Sequence, residues 1–146
     1  MGSNLGDRRG HLVFAVARLA DHFQRFRVSL SIETKPVGVT GEQPDFLNAV
    51  AVGETALTVR QLFERLMAIE VERGRERPFP GAARTLDLDL ILFGDRIIDE
   101  PDLIVPHPRF RERRFVLGPL AEIAPELLDP VTKQTVEELL RALGDG

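Results

Sequence analysis

Between residues 84 and 93 the chain reads ArgThrLeuAspLeuAspLeuIleLeuPhe, with leucine at 86, 88, 90 and 92. In an extended strand alternate residues share a face. Leu86, Leu88, Leu90 and Leu92 then turn toward a core, and Thr85, Asp87 and Asp89 turn the other way, which sets two carboxylates side by side. Aspartate is depleted in strands, and neighbouring like charges repel. One reading of such a pair is a solvated outer face, although Thr, Ser or Lys would fill that face at lower cost. The other is a hard-cation site. Paired carboxylates, completed by phosphate oxygens and waters, suit magnesium, which is seldom caged by protein ligands alone.

Elements on either side of this strand follow from periodicity. Leu12, Val16, Leu19 and Phe23 recur at helical spacing and predict a helix from about Asp7 to His22. Val28, Leu30 and Ile32 alternate with polar residues, the period of a half-buried strand. Pro36, Gly38, Gly41 and Pro44 then break regular structure, and a second strand is expected over Phe46 to Val52. Thr58 and Gln61 have capping-box spacing, Leu62, Leu66 and Ile69 form the buried stripe of a second helix, and Gly74 is placed to end it. The three prolines between Asp99 and Arg109 predict irregular chain. A short helical stretch near Phe110 to Leu117 and a capped helix from Thr135 complete the order α-β-β-α-β plus a tail. That order is a ferredoxin-like β-α-β-β-α-β unit lacking its first strand.

The basic residues are clustered. Arg73, Arg75, Arg77 and Arg84 fall close together, as do Arg109, Arg111, Arg113 and Arg114. An Arg-rich loop alone reads as a solvated loop. Beside an Asp-x-Asp strand it gains a second meaning, because guanidinium forks bind phosphate oxygens in pairs while a metal neutralises others. His107 lies between prolines in ValProHisPro, where a structural role competes with a functional one. Asn48 sits among apolar residues, and its amide needs partners from the backbone or from a heterocycle. Phe46, two residues earlier and on the same strand face, is placed to stack on such a ring.

Composition narrows the partners. The 146 residues suit one domain spanning 1–146, and a net charge of −4 argues against a general nucleic-acid binder. No apolar run approaches the roughly 18 residues of a membrane span. The start, MetGlySerAsnLeuGlyAspArgArg, lacks the apolar block of a secretory signal, and there is no cysteine, so a cytoplasmic protein is expected.

In order along nearly the whole chain, a set of short motifs resembles the hydroxymethyldihydropterin pyrophosphokinases. They are GlySerAsnLeuGly at 2–6, GluThrLysProValGly at 33–38, GlnProAspPheLeuAsn at 43–48, GlyArgGluArg at 74–77 and ArgThrLeuAspLeuAspLeu at 84–90. ValProHisPro at 105–108, ArgPheValLeuGlyProLeu at 114–120 and IleAlaProGlu at 123–126 complete the set. The resemblance implies a ferredoxin-like α+β sandwich with an antiparallel sheet. It also implies transfer of pyrophosphate from ATP to 6-hydroxymethyl-7,8-dihydropterin in folate synthesis, giving AMP. Two Mg2+ ions would be held by Asp87 and Asp89. Thr34, Pro36, Val37 and Asn48 would form the pterin pocket, with Phe46 and Phe115 sandwiching the ring. Glu70, Arg75, Arg77, Arg84, His107 and Arg113 would contact ATP or the transferring phosphates, Arg75, Arg77 and Arg84 acting in catalysis. The implied partners are these two small molecules and no nucleic acid or membrane, with the protein acting as a monomer.

Two departures qualify the match. The loop before the Asp pair reads ProPheProGlyAlaAla, so Phe79 stands where the family carries another aromatic, often tryptophan, and an extra arginine is lacking. Only Met1 and Gly2 stand where the family's opening strand precedes GlySerAsn. The alternative reading is accordingly a truncated or degenerate homologue that binds ligand with little activity, against which the retained Asp87, Asp89, Asn48 and His107 speak.

Overall fold

The computed structural model describes residues 1–3, 8–34, 46–74 and 86–144, the side chains of Thr34 and Phe46 excepted. The chain divides into two compact units, Met1–Leu88 and Asp89–Gly146. Helices and small antiparallel sheets make up the described residues, an α+β composition. Among these residues no helix is long and apolar enough to cross a membrane.

The first unit opens with a two-residue strand, β1 (Gly2–Ser3), where the sequence order lacked an opening strand, and α1 (Arg8–Ala20) follows. Strands β2 (Gln24–Val28), β3 (Ile32–Thr34), β4 (Phe46–Asn48) and β5 (Ala51–Glu54) precede α2 (Val59–Gly74). One sheet has the order β1-β4-β3 and another pairs β2 with β5, all antiparallel. Leu12 and Leu19 of α1 and Leu62, Leu66 and Ile69 of α2 are buried, as their spacing predicts, whereas Val16 and Phe23 are half-buried and Ala15 is the other buried apolar residue of α1. The capping box forms as well. Thr58 N donates to Gln61 Oε1 at 2.9 Å, and Gln61 N donates to the Thr58 hydroxyl at 3.1 Å.

The strand expected through Val28, Leu30 and Ile32 departs from its pattern. It is broken into β2 and β3, and the three apolar residues are exposed, Leu30 by 81%. Buried Ser29 explains the break. Its N–H donates to Val50 O at 2.8 Å and its hydroxyl accepts from Val50 N at 2.9 Å while donating to Leu30 O at 3.0 Å. A side-chain oxygen thus takes a bond that a ladder carbonyl would otherwise accept, and the pairing restarts beyond it. The expected second strand is divided at the same level, into β4 and β5. At Gly53 a Cβ would stand 2.9 Å from Phe23 Cδ1, so only glycine allows that ring to lie on β5.

Residues 86–93 carry no strand in the structure, contrary to the alternation of Leu and Asp. Only Asp87 bridges, to Gly2. The alternation still sets burial at its start: Leu86 and Leu88 are buried, Asp87 is half-buried and Asp89 exposed. Leu90 and Leu92, expected in the core, are half-buried. A period of two shows which way side chains turn but not whether a partner strand runs alongside.

In the second unit, β6 (Ile98–Glu100) and β7 (Leu103–Val105) form a hairpin where irregular chain was expected. Pro101 and Asp102 make its turn, where a proline's fixed φ is an asset, and Pro106 follows the last strand residue. A single 3-10 turn, Phe110–Glu112, leads into α3 (Arg114–Ile123), and α4 (Val136–Leu143) follows. Helix α4 is capped at Thr135 as expected, here by a capping box in which the Thr135 hydroxyl accepts from Glu138 N and Glu138 Oε1 from Thr135 N. Phe110, Val116, Leu117, Leu120, Val136 and Leu139 are the buried apolar residues of this turn and helix pair. Truncating such a leucine to alanine costs about 2–5 kcal/mol.

Candidate active site

Strand register places the first unit's candidates. Ile32 pairs with Asn48, Asn48 with Gly2, and Gly2 with Asp87, forming one row across four chain segments. Residues directly opposite one another present side chains to the same face. Asn48 and Asp87 therefore share a face, about 10 Å apart at Cα by two strand spacings, with Gly2 between them. Gly2, itself buried, adds no side chain between the amide and the carboxylate. Thr34 lies opposite Phe46 two residues along the same ladder.

The row is firmly pinned. Gly2 N donates to Asp87 O and Asp87 N to Gly2 O, both at 2.8 Å. The terminal amine of Met1 donates to Ala49 O at 2.9 Å, and Ala49 N donates to Met1 O at 3.0 Å. Asn48 is 9% exposed.

Glu70 belongs to the last two turns of α2, and its Oε2 accepts from Leu88 N at 2.7 Å. Leu88 separates the two aspartates in sequence. A carboxylate accepting from a backbone N–H makes a charge-assisted bond, stronger than a neutral one. Glu70, which the sequence suggested for ATP contact, thus anchors the backbone beside Asp87. One turn later Arg73 Nε donates to buried His11 Nδ1 at 2.7 Å, and its guanidinium stands 4.9 Å from the Phe14 ring centre, tying this end of α2 to α1. An ion pair between Arg18 and Glu72 adds to that tie.

In the second unit, His107 follows β7 and is half-buried. Its N–H donates to Ile91 O at 2.9 Å, and its Nδ1 accepts from Arg109 N at 3.1 Å. A ring nitrogen that accepts carries no proton, so the neutral imidazole bears its hydrogen on Nε2. Arg113 stands between the 3-10 turn and α3 with extended backbone, and its guanidinium lies 5.6 Å from the centre of the Phe115 ring. The structure thus brings two expected substrate residues into contact.

Sequence reading placed Arg111 only in a basic cluster and missed its partner Asp129. Asp129 is fully buried and takes both Arg111 Nε, at 2.5 Å, and an Arg111 terminal nitrogen, at 3.0 Å. Burial alone would raise its pKa, but hydrogen bonds from Arg111, Val131 N and the Thr132 hydroxyl outweigh that and lower it to about 2. The same pairing raises the pKa of Arg111.

Pro36, Val37, Arg75, Arg77 and Arg84 lie outside the described residues, as do Phe79 and the breaker segment at 36–44. Among the described residues no group of three or more His, Asp or Glu side chains is placed to hold a metal ion. A donor set of two carboxylates leaves most of a coordination shell to water and substrate oxygens, which fits magnesium and not a structural metal. A cavity of about 530 Å³ lined by Asp21, His22, Phe23, Glu54, Thr55 and Leu57 holds none of the expected site residues.

Comparison with known proteins gives consistent matches. The family model of 7,8-dihydro-6-hydroxymethylpterin-pyrophosphokinase (HPPK) matches residues 1–125. A 2-amino-4-hydroxy-6-hydroxymethyldihydropteridine pyrophosphokinase of Bacillus subtilis is 42% identical over 140 residues, covering 94% of this chain and 83% of that protein. Its namesake in Pseudomonas aeruginosa is 39% identical over 147 residues, covering 97% and 88% respectively. The folic acid synthesis protein fol1 of Pneumocystis carinii is 36% identical across 99% of this chain, which spans 20% of that longer protein.

Proposed function

The chain belongs to the 7,8-dihydro-6-hydroxymethylpterin-pyrophosphokinase family, and on that premise we propose that residues 1–146 act as a single pyrophosphokinase domain. The reaction transfers pyrophosphate from ATP to 6-hydroxymethyl-7,8-dihydropterin, giving AMP and the pterin pyrophosphate for folate synthesis. The pterin's primary hydroxyl attacks the β-phosphorus, and the bond from that phosphorus to the α-phosphate oxygen breaks. The observation that carries this reading is the row Asn48–Gly2–Asp87, an amide and a carboxylate on one face with a glycine between them.

Roles divide by unit. In the first, Asn48 reads the pterin edge with its donor and acceptor, helped by Thr34, Pro36 and Val37, and Phe46 stacks on the ring. Glu70 holds Leu88 N and so fixes the backbone from which Asp87 projects. Arg75, Arg77 and Arg84 neutralise the transferring phosphates with forked hydrogen bonds. In the second, the His107 Nε2–H donates to phosphate oxygen, Arg113 adds charge, and Phe115 offers the pterin a second aromatic face with Arg113 already seated against it. Asp87 and Asp89 hold two Mg2+ ions. When bound, magnesium supplies charge neutralisation on the triphosphate and on the entering and leaving oxygens.

The finer fold reading is a ferredoxin-like sandwich. Its support is β1, which lies between β4 and Asp87 at the central position that this topology gives its opening strand. The protein works as a cytoplasmic monomer in this reading. A positional label tests the chemistry. ATP labelled at the β-phosphorus should leave its label on the pterin product, whereas label retained in the nucleotide would overturn the proposal.

A further inference from the structure

Asp129 lies in the segment joining α3 to α4 and is 0% exposed. A buried carboxylate is costly unless every acceptor site is used. Here Oδ2 accepts from Arg111 Nε at 2.5 Å and from the Thr132 hydroxyl at 2.8 Å, and Oδ1 accepts from Arg111 at 3.0 Å and from Val131 N at 3.0 Å. The backbone closes around the same residue, with Asp129 N donating to Gln134 O at 2.8 Å and Lys133 N to Asp129 O at 2.9 Å. Val131 N and the Thr132 hydroxyl hold this loop about the carboxylate locally. The bond to Arg111, 18 residues away, is therefore an addition with its own consequence.

Arg111 is the middle residue of the 3-10 turn. Its guanidinium also stands 4.8 Å from the ring centre of fully buried Phe110. A single contact would leave this one-turn element free to roll about its axis, whereas a two-point fork fixes its rotation as well as its position. The turn's flanks carry the second unit's proposed substrate residues. On one side His107 O accepts from Phe110 N at 3.4 Å and His107 Nδ1 from Arg109 N at 3.1 Å. On the other, Arg113 N donates to Phe110 O at 3.2 Å, and Arg113 O accepts from Val116 N and Leu117 N at 2.9 Å. A rotation of the turn would therefore be passed through these bonds to His107, Arg113 and Phe115 together.

Net stability does not account for such a pair, because buried ion pairs commonly contribute no more than well-packed apolar residues of similar volume. We propose that Arg111 and Asp129 are positioning residues, whose buried two-point bond sets the orientation of His107, Arg113 and Phe115 toward their substrates. This assignment rests on the pyrophosphokinase reading.

The test uses the full chain with Arg111→Lys, which keeps the charge and loses the fork, and Asp129→Asn, which keeps the shape and loses the charge. Two readouts are taken at a temperature where each variant is folded by circular dichroism. One is steady-state kcat and KM for ATP and pterin. The other is the long-range 1H–15N NMR spectrum of the three histidines without substrate. The expected result is a shift of the His107 ring signals with those of His11 and His22 unmoved. It is accompanied by a loss of kcat on the order of tenfold to a hundredfold, the scale of a small misplacement of reacting groups. Arg111→Lys, as the gentler change, serves alone if Asp129→Asn does not fold. Unshifted His107 signals with unchanged kcat and a lowered melting temperature would overturn the assignment and leave the pair a purely structural one. Wild-type protein that releases no AMP would refute the enzymatic reading instead, and the substrate-free His107 signals would still judge the pair.

Discussion

Gly2 and Asp87 exchange two backbone hydrogen bonds of 2.8 Å, while on its other side Gly2 is opposite Asn48. The glycine between this amide and carboxylate keeps that step of the shared face free of a side chain. Gly2→Val places a side chain at this buried position and is assayed where circular dichroism shows the variant folded. Activity should still fall, with kcat/KM for the pterin lower by on the order of tenfold to a hundredfold as the side chain displaces substrate. Unchanged kinetics would show that the interval is not where substrate lies.

Charge at the Asp pair should matter more than shape. Asp87→Asn or Asp89→Asn is expected to lower turnover by on the order of a thousandfold, about 4 kcal/mol, by removing a proposed metal ligand. Folding should survive, because one of two neighbouring like charges is removed. Near-normal turnover of either variant would return the pair to a solvated face.

Glu70 offers a test that separates two roles. Glu70→Ala leaves the N–H of buried Leu88 without its acceptor and should cost about 1–3 kcal/mol in chemical denaturation, with reduced turnover. Glu70→Gln, whose amide oxygen still accepts, should recover much of that stability. A change in KM for ATP with stability intact in Glu70→Ala would instead make Glu70 a nucleotide contact alone.

These sites differ in how visible they were from sequence, and the reason is range. The Thr58–Gln61 capping box and the cap at Thr135 form as read because partners three residues apart depend on nothing distant. The alternation at Val28, Leu30 and Ile32 misled because Ser29, a polar residue by any pattern, is the buried one, held by Val50 across the ladder. Prolines hid the β6–β7 hairpin, since Pro101 lies in its turn and not in a strand. The Asp87 segment was legible as a line of chemistry but not as a single bridge to Gly2. Nothing in spacing pairs Arg111 with Asp129. Their bond depends on how α3 and α4 bring distant loops together.

Asp129 also sets an expectation for acid stability. Its folded pKa of about 2 lies below the ordinary carboxylate value near 4, so its contribution is present above that ordinary value. It is lost as pH falls from about 4 through about 2, and amounts to about 2 kcal/mol. Denaturation of wild type and Asp129→Asn across this window should converge as pH falls. A constant difference between them down to pH 2 would mean that the carboxylate is not held ionised by Arg111.

The identity of the nucleotide product tests the central claim most directly. With ATP, magnesium and 6-hydroxymethyl-7,8-dihydropterin, chromatography of the reaction should show AMP appearing in step with loss of the pterin alcohol. ADP in place of AMP would mean ordinary phosphoryl transfer and would contradict the account.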